Sequence, residues 1–218
     1  MSDFLREPGP WLAVALLGAF HGINPGMGWL FAVALGMQQR SARGVCRALP
    51  PIALGHAAAI GVVLAAMALA QVVVPPDALK GVVGLTLMTQ GLYRLWRHRH
   101  PRFGGMQVTF RDLTIWSFLM ASAHGAGFMV IPFVMRMPAA LSAASHHHAV
   151  HLMSGGTNVT AGAVAVGVHT LAYFTVMALA AWLVYWRLGL NLLRKAWFNL
   201  DPVWAGALLI AGMVVLFK

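Results

Sequence analysis

The chain has 218 residues, 60% hydrophobic and only 9% charged, with a formal net charge of +10. Its mean hydropathy is +0.75. So few charges cannot cover a soluble domain of this size, which predicts a single transmembrane domain over residues 1–218 with no soluble domain attached. The lone cysteine, Cys46, excludes an intramolecular disulfide framework and any CxxC chemistry.

A membrane span needs about 20 apolar residues. The apolar runs predict an all-α protein of six helices, at about 11–37, 50–74, 79–97, 113–136, 159–186 and 198–217. The first ten residues set Arg6 against Asp3 and Glu7 and lead to no small-residue cleavage site, so residue 11 onward reads as a retained first span. That span contains Ala19-Phe-His-Gly-Ile-Asn-Pro-Gly-Met-Gly-Trp29. Proline removes a backbone donor and clashes with the preceding turn, so a break is expected near Asn24-Pro25-Gly26, freeing the carbonyls around Ile23. Irregular backbone at mid-depth is tolerated only where it is buried in protein or lines a wet cavity. His21 and Asn24 are therefore candidates for a midplane binding site; the plainer alternative is a kink with a packed, hydrogen-bonded histidine.

Pro50-Pro51 reads as the start of span two, which places His56 about six residues from one end of it. Span three opens with Asp77 and ends in a basic connection. Span four carries His124 about eleven residues in, again followed by glycine. The connection after it holds His146, His147, His148 and His151, a tract whose composition suits metal collection or simply a polar loop. Span five carries His169 about ten residues in, and span six opens with Asp201.

Three features recur in the same order: His21-Gly and His124-Gly, then His56 and His169, then Asp77 and Asp201. Two repeats follow, about 11–97 and 113–217. Three spans per repeat is an odd number, so the halves must be inverted in the membrane. Inverted three-span repeats are a transporter signature, with the substrate site near mid-depth at the repeat interface. In this arrangement His21 and His124 are expected to face each other across one polar cavity that Asn24 also enters. His56 and His169 are expected to flank them on opposite sides, one per leaflet.

Eleven of the 15 basic residues fall on the three odd-numbered connections. The positive-inside rule makes those cytoplasmic, puts both termini outside and points to a bacterial inner membrane. The high charge is then a matter of topology and anionic lipid contact, with no nucleic-acid partner.

The stretch His21-Gly-Ile-Asn-Pro-Gly-Met27 resembles the H-G-L-E-P-G-H motif on the first span of the nickel–cobalt efflux family, and Leu54-Gly55-His56 resembles the glycine–histidine pair on its second span. That family belongs to the lysine-exporter superfamily, built from related three-span halves. The resemblance implies a secondary transporter whose metal ligands lie on the first two spans. Asn24 and Met27 stand where the motif has an acid and a second histidine, so only His21 and His56 carry over intact. A set of His, Met and amide carries less negative charge and suits Cu(I) or another soft late metal. A permease for a small organic solute is the alternative within the superfamily.

No Walker-type loop, Ser–His–acid set or HExxH pattern is present, and no carboxylate pair falls within a span, so an enzyme is not expected. The leading expectation is a permease for a transition metal ion of the Cu, Ni or Co class, using His21, Asn24, Met27, His56, His124 and His169. Four intramembrane histidines are also compatible with bis-His haem ligation, and with an accessory subunit of a larger membrane complex or homo-oligomer.

Overall fold

The computed structural model describes residues 8–96, 109–135, 159–188 and 201–217. Its regular elements are all helical: α1 (Pro8–Ile23), a 3-10 turn (Pro25–Met27), α2 (Trp29–Gln38), α3 (Ala42–Val73), α4 (Pro76–Trp96), α5 (Phe110–Ala123), α6 (Ala126–Val134), α7 (Val159–Leu183) continuing as a π-turn (Val184–Leu188), and α8 (Asp201–Leu216). The histidine tract 146–151, the charged stretch 97–108 and both chain ends lie outside the described residues.

Two helical stretches are long and apolar enough to cross a membrane, Ala42–Ala70 and Ala161–Arg187. The pair α5 and α6, bent by 61°, makes a third if it is one span, while α1, α2 and α8 are shorter apolar helices. Large apolar side chains face outward along these elements, among them Leu12, Leu16, Leu69, Leu171, Leu179 and Ile210. The buried set, by contrast, includes four histidines, Asn24 and Ser117. Apolar side chains outside and the few mid-helix polar ones inside is the distribution lipid demands, since an unpartnered polar group in hydrocarbon costs several kcal/mol.

The first apolar run breaks where Asn24-Pro25 predicts. Pro25 has no N–H to give, and the Asn24 side-chain oxygen accepts the Gly26 N–H at 2.9 Å, so the chain closes a local turn instead of continuing α1. Gly28 then adopts φ +142°, a conformation that side chains disfavour, and restarts the helix as α2. A second break separates α5 from α6 at His124-Gly125, with Gly125 left-handed at φ +72°. No proline marks that position; the only sequence signal is the His-Gly pair itself.

Pro50 and Pro51 lie inside α3, correcting their reading as its start. The carbonyls they leave without an N–H are those of exposed Cys46 and Arg47, near the helix end, where water or lipid headgroups satisfy them. The helix therefore begins eight residues before Pro50, at Ala42, and His56 falls near its middle.

Helix α1 packs along α7, α3 packs along α5 and crosses α7, and α4 packs chiefly against α8. Small residues permit these approaches. A methyl group on Gly22 of α1 would lie 2.6 Å from the Tyr173 carbonyl oxygen of α7, and Gly18, one turn earlier, meets the His169 carbonyl more closely still. Gly18 and Gly22 form the small-xxx-small spacing that brings membrane helices into backbone contact.

Candidate metal centre

His21 ends α1, His56 lies mid-way along α3, and His169 lies on α7 where Gly18 and Gly22 draw α1 close. All three are completely buried. One ring nitrogen from each can be chosen so that all lie within 4.8 Å of one another. His56 Nε2 and His169 Nε2 are 3.2 Å apart, so in the ion-free state one donates its proton to the other. The His21 ring is 5.2 Å from His56 and 5.0 Å from His169, centre to centre.

The state of His21 follows from its partner. Its Nδ1 lies 2.7 Å from the Leu17 carbonyl oxygen. A carbonyl only accepts, so Nδ1 carries the proton and Nε2 presents a bare lone pair. That Nε2 is buried and has no hydrogen-bond partner among the described residues. Nδ1–H held by a backbone carbonyl, with Nε2 left to bind, is the tautomer and support of a metal-ligating histidine. The Nδ1 atoms of His56 and His169 are also buried without a partner; the Val14 carbonyl lies beside His169 but outside hydrogen-bond geometry at that atom.

Two aromatic rings close the cluster. Tyr173, one turn after His169 on α7, stacks on His56 at 4.0 Å, and its hydroxyl donates to the Met27 carbonyl. It thereby ties the 3-10 turn to the triad. Trp204 of α8 lies 4.5 Å from His21 and 5.8 Å from His124, centre to centre. Neither ring was singled out by the sequence reading. Trp204 follows Asp201 by three residues, in the first turn of α8, and an amphipathic aromatic beside that repeated acid was the available signal.

The expected arrangement of histidines is corrected in two respects. The histidines grouped with His21 are His56 and His169 and not His124, which meets the Trp204 indole that also lies against His21. His56 and His169 do not flank the site from opposite sides; they touch each other and join His21. The cause is the true start of α3 at Ala42, which moves His56 from the end of a span to its middle.

His124 is buried and keeps the same local bond as His21, its Nδ1 lying 2.8 Å from the Met120 carbonyl four residues back. Asn24 is buried, and its side-chain oxygen is engaged by the Gly26 N–H rather than turned toward the triad. Met27 is packed in the apolar core.

The carbonyls freed at the two breaks are not presented to a ligand. Trp29 Nε1 donates to the Ile23 carbonyl at 2.9 Å. At the second break Arg94 Nε donates to the Ala123 carbonyl at 3.0 Å, with Arg94 Nη2 on the same oxygen and Gln90 Nε2 at 3.3 Å. These bonds also fasten α4 to the junction of α5 and α6. Among the described residues, the histidine triad is the one group of three or more His, Cys, Asp or Glu side chains placed to share an ion. No protein-family model, curated protein or solved structure matches the chain.

Proposed function

We propose that this chain is a secondary membrane transporter for a transition metal ion, built from two inverted three-helix halves, with His21, His56 and His169 as the substrate site. The observation that carries this reading is the triad: three buried imidazoles from three helices, one held by a backbone carbonyl with its lone pair turned inward. Buried polar atoms without partners are costly. At His21 Nε2 an ion would turn that cost into binding energy. Imidazole suits Cu, Zn, Ni and Fe ions rather than Mg or Ca.

The packing supports the two-half reading. If α1–α2, α3 and α4 correspond to α5–α6, α7 and α8, then the α1–α7 and α3–α5 contacts are the same contact seen from each half. The α3–α7 and α4–α8 contacts pair each helix with its own counterpart. The counterparts α1 and α5 carry His21 in the last turn and His124 at the C-cap, each bonded to the carbonyl four residues back and each close to a break. In this reading α1 and α2 are one broken span, as α5 and α6 are. The pair α4–α8, which carries Trp204, covers one side of the triad. Its displacement would open a way between His21 and His124.

A haem reading fares less well. A porphyrin plane must lie between its two axial imidazoles, whereas the triad rings pack on one another at 5.0–5.2 Å from His21, with Trp204 and Tyr173 against them. The test is metal flux into proteoliposomes containing the purified chain, alongside metal analysis and a visible spectrum. Flux and bound metal should both fall in His21→Ala while the variant elutes as a folded protein. Equal flux in the two proteins, or a Soret band with no other metal, overturns the reading.

A further inference from the structure

We infer that the triad takes a monovalent, low-coordinate ion, Cu(I), in preference to the divalent ions of the same row. This rests on the metal-transport reading above and adds the identity of the substrate.

The first ground is charge. The three ligands are neutral imidazoles, and among the described residues no carboxylate or thiolate joins them. Asp77 and Asp112 are exposed at helix N-termini, and Cys46 is exposed. The cost of moving an ion from water into a low-dielectric site rises with the square of its charge, so a divalent ion pays roughly four times what a monovalent ion pays. Sites for divalent ions usually offset this with carboxylates or thiolates. This site has nothing of the kind to offer.

The second ground is coordination number. Ni(II) and Co(II) commonly complete their shells with water or further oxygen donors, and Zn(II) takes a fourth ligand. The triad is fully buried, with Trp204 at 4.5 Å from His21 and Tyr173 at 4.0 Å from His56, ring to ring. Both rings are themselves completely buried, so they wall the triad off from water. An ion held here has three nitrogen ligands. Cu(I) has a filled d shell and is stable with two or three.

The third ground is distance. Metal–imidazole bonds of about 2.0–2.1 Å place ligand nitrogens roughly 3.3–3.6 Å apart in tetrahedral or trigonal geometry. The His56–His169 separation of 3.2 Å is close to that range, and one ring nitrogen from each of the three lies within 4.8 Å of the others, so small side-chain adjustments bring them to bonding distance of one ion.

The experiment uses the full chain in detergent under anaerobic, reducing conditions. Cu(I) is titrated against a chromogenic Cu(I) chelator, and Zn(II), Ni(II) and Co(II) against matched chelators. One Cu(I) per chain should be held at least a hundredfold more tightly than any divalent ion. Affinity should fall at least tenfold in His56→Ala and in His169→Ala. X-ray absorption of the wild-type Cu(I) protein, which needs no variant to fold, should show a low-coordinate edge and three nitrogen scatterers. Zn(II), Ni(II) or Co(II) held as tightly as Cu(I), with loss in the same variants, overturns the Cu(I) inference and leaves the transition-metal reading standing. A wild-type chain that binds none of the four overturns both.

Discussion

Gly22→Ala isolates how the α1–α7 contact builds the triad. The added methyl would lie 2.6 Å from the Tyr173 carbonyl oxygen, 2.9 Å from Val176 Cβ and 3.0 Å from the Met177 nitrogen. Carbon atoms pack best at about 3.5–4.0 Å. Two of the three obstacles are backbone atoms that cannot rotate away, so α1 must move off α7 by roughly 0.7–1 Å. Such overpacking costs about 1–3 kcal/mol, here toward the upper end. Alanine's better helix propensity returns about 1 kcal/mol. The net expectation is a loss of about 1–2 kcal/mol. The larger effect falls on the ion. His21 precedes Gly22 and would be carried away from His169, whereas metal–ligand distances tolerate only about 0.2 Å. Metal affinity should therefore drop at least about tenfold, which is about 1.4 kcal/mol. Thermal unfolding in detergent and chelator competition measure the two effects. Gly61→Ala is the control, since nothing lies within 4 Å of its added methyl. It should gain up to about 1 kcal/mol and bind metal unchanged. If Gly22→Ala instead behaved like Gly61→Ala, helix propensity alone would govern both sites and the proposed role of close packing in assembling the triad would fall.

Tyr173→Phe keeps the ring on His56 but leaves the Met27 carbonyl unpartnered, so thermal stability should fall by about 1–3 kcal/mol while metal stoichiometry is retained. Loss of metal without loss of stability would contradict this division of roles. Arg94→Met removes the two charged donors on the Ala123 carbonyl and leaves it only Gln90 Nε2 at 3.3 Å, so it should destabilise by about 1–2 kcal/mol, with α4 becoming more accessible to proteolysis. An unchanged melting curve would show that the second break does not need this cap. A reporter active only in the cytoplasm, fused after Lys218, should give no signal, because the basic residues cluster on the odd-numbered connections. A strong signal would reverse the orientation.

Composition and the length of the apolar runs determined the helical class and the membrane-like distribution of side chains, because a continuous apolar run satisfies its own backbone in an apolar surround as a helix, whereas a barrel strand alternates apolar and polar residues. Local chemistry determined the break after Ile23: Pro25 and Gly28 act through their own backbones and Asn24 through a side-chain bond two residues on, so none needs a distant partner. The chemistry-bearing histidines were legible for a similar reason, since an ionisable side chain within an apolar run stands out in one dimension. Their grouping was not legible. Which histidines meet depends on how far each helix extends and on how it is rotated against its neighbours. A proline pair can end a helix or lie within one. At Pro50-Pro51 the freed carbonyls are near the exposed helix end, so α3 runs on, and that decides the depth of His56. The break at His124-Gly125 likewise carries no proline and is held by Arg94 and Gln90 from a distant helix. Trp204 reaches both His21 and His124 because α8 packs along α4, a contact between residues more than a hundred positions apart in sequence. The triad is thus a product of tertiary packing: glycines on α1 set the approach to α7, and that approach turns three separated histidines into one site.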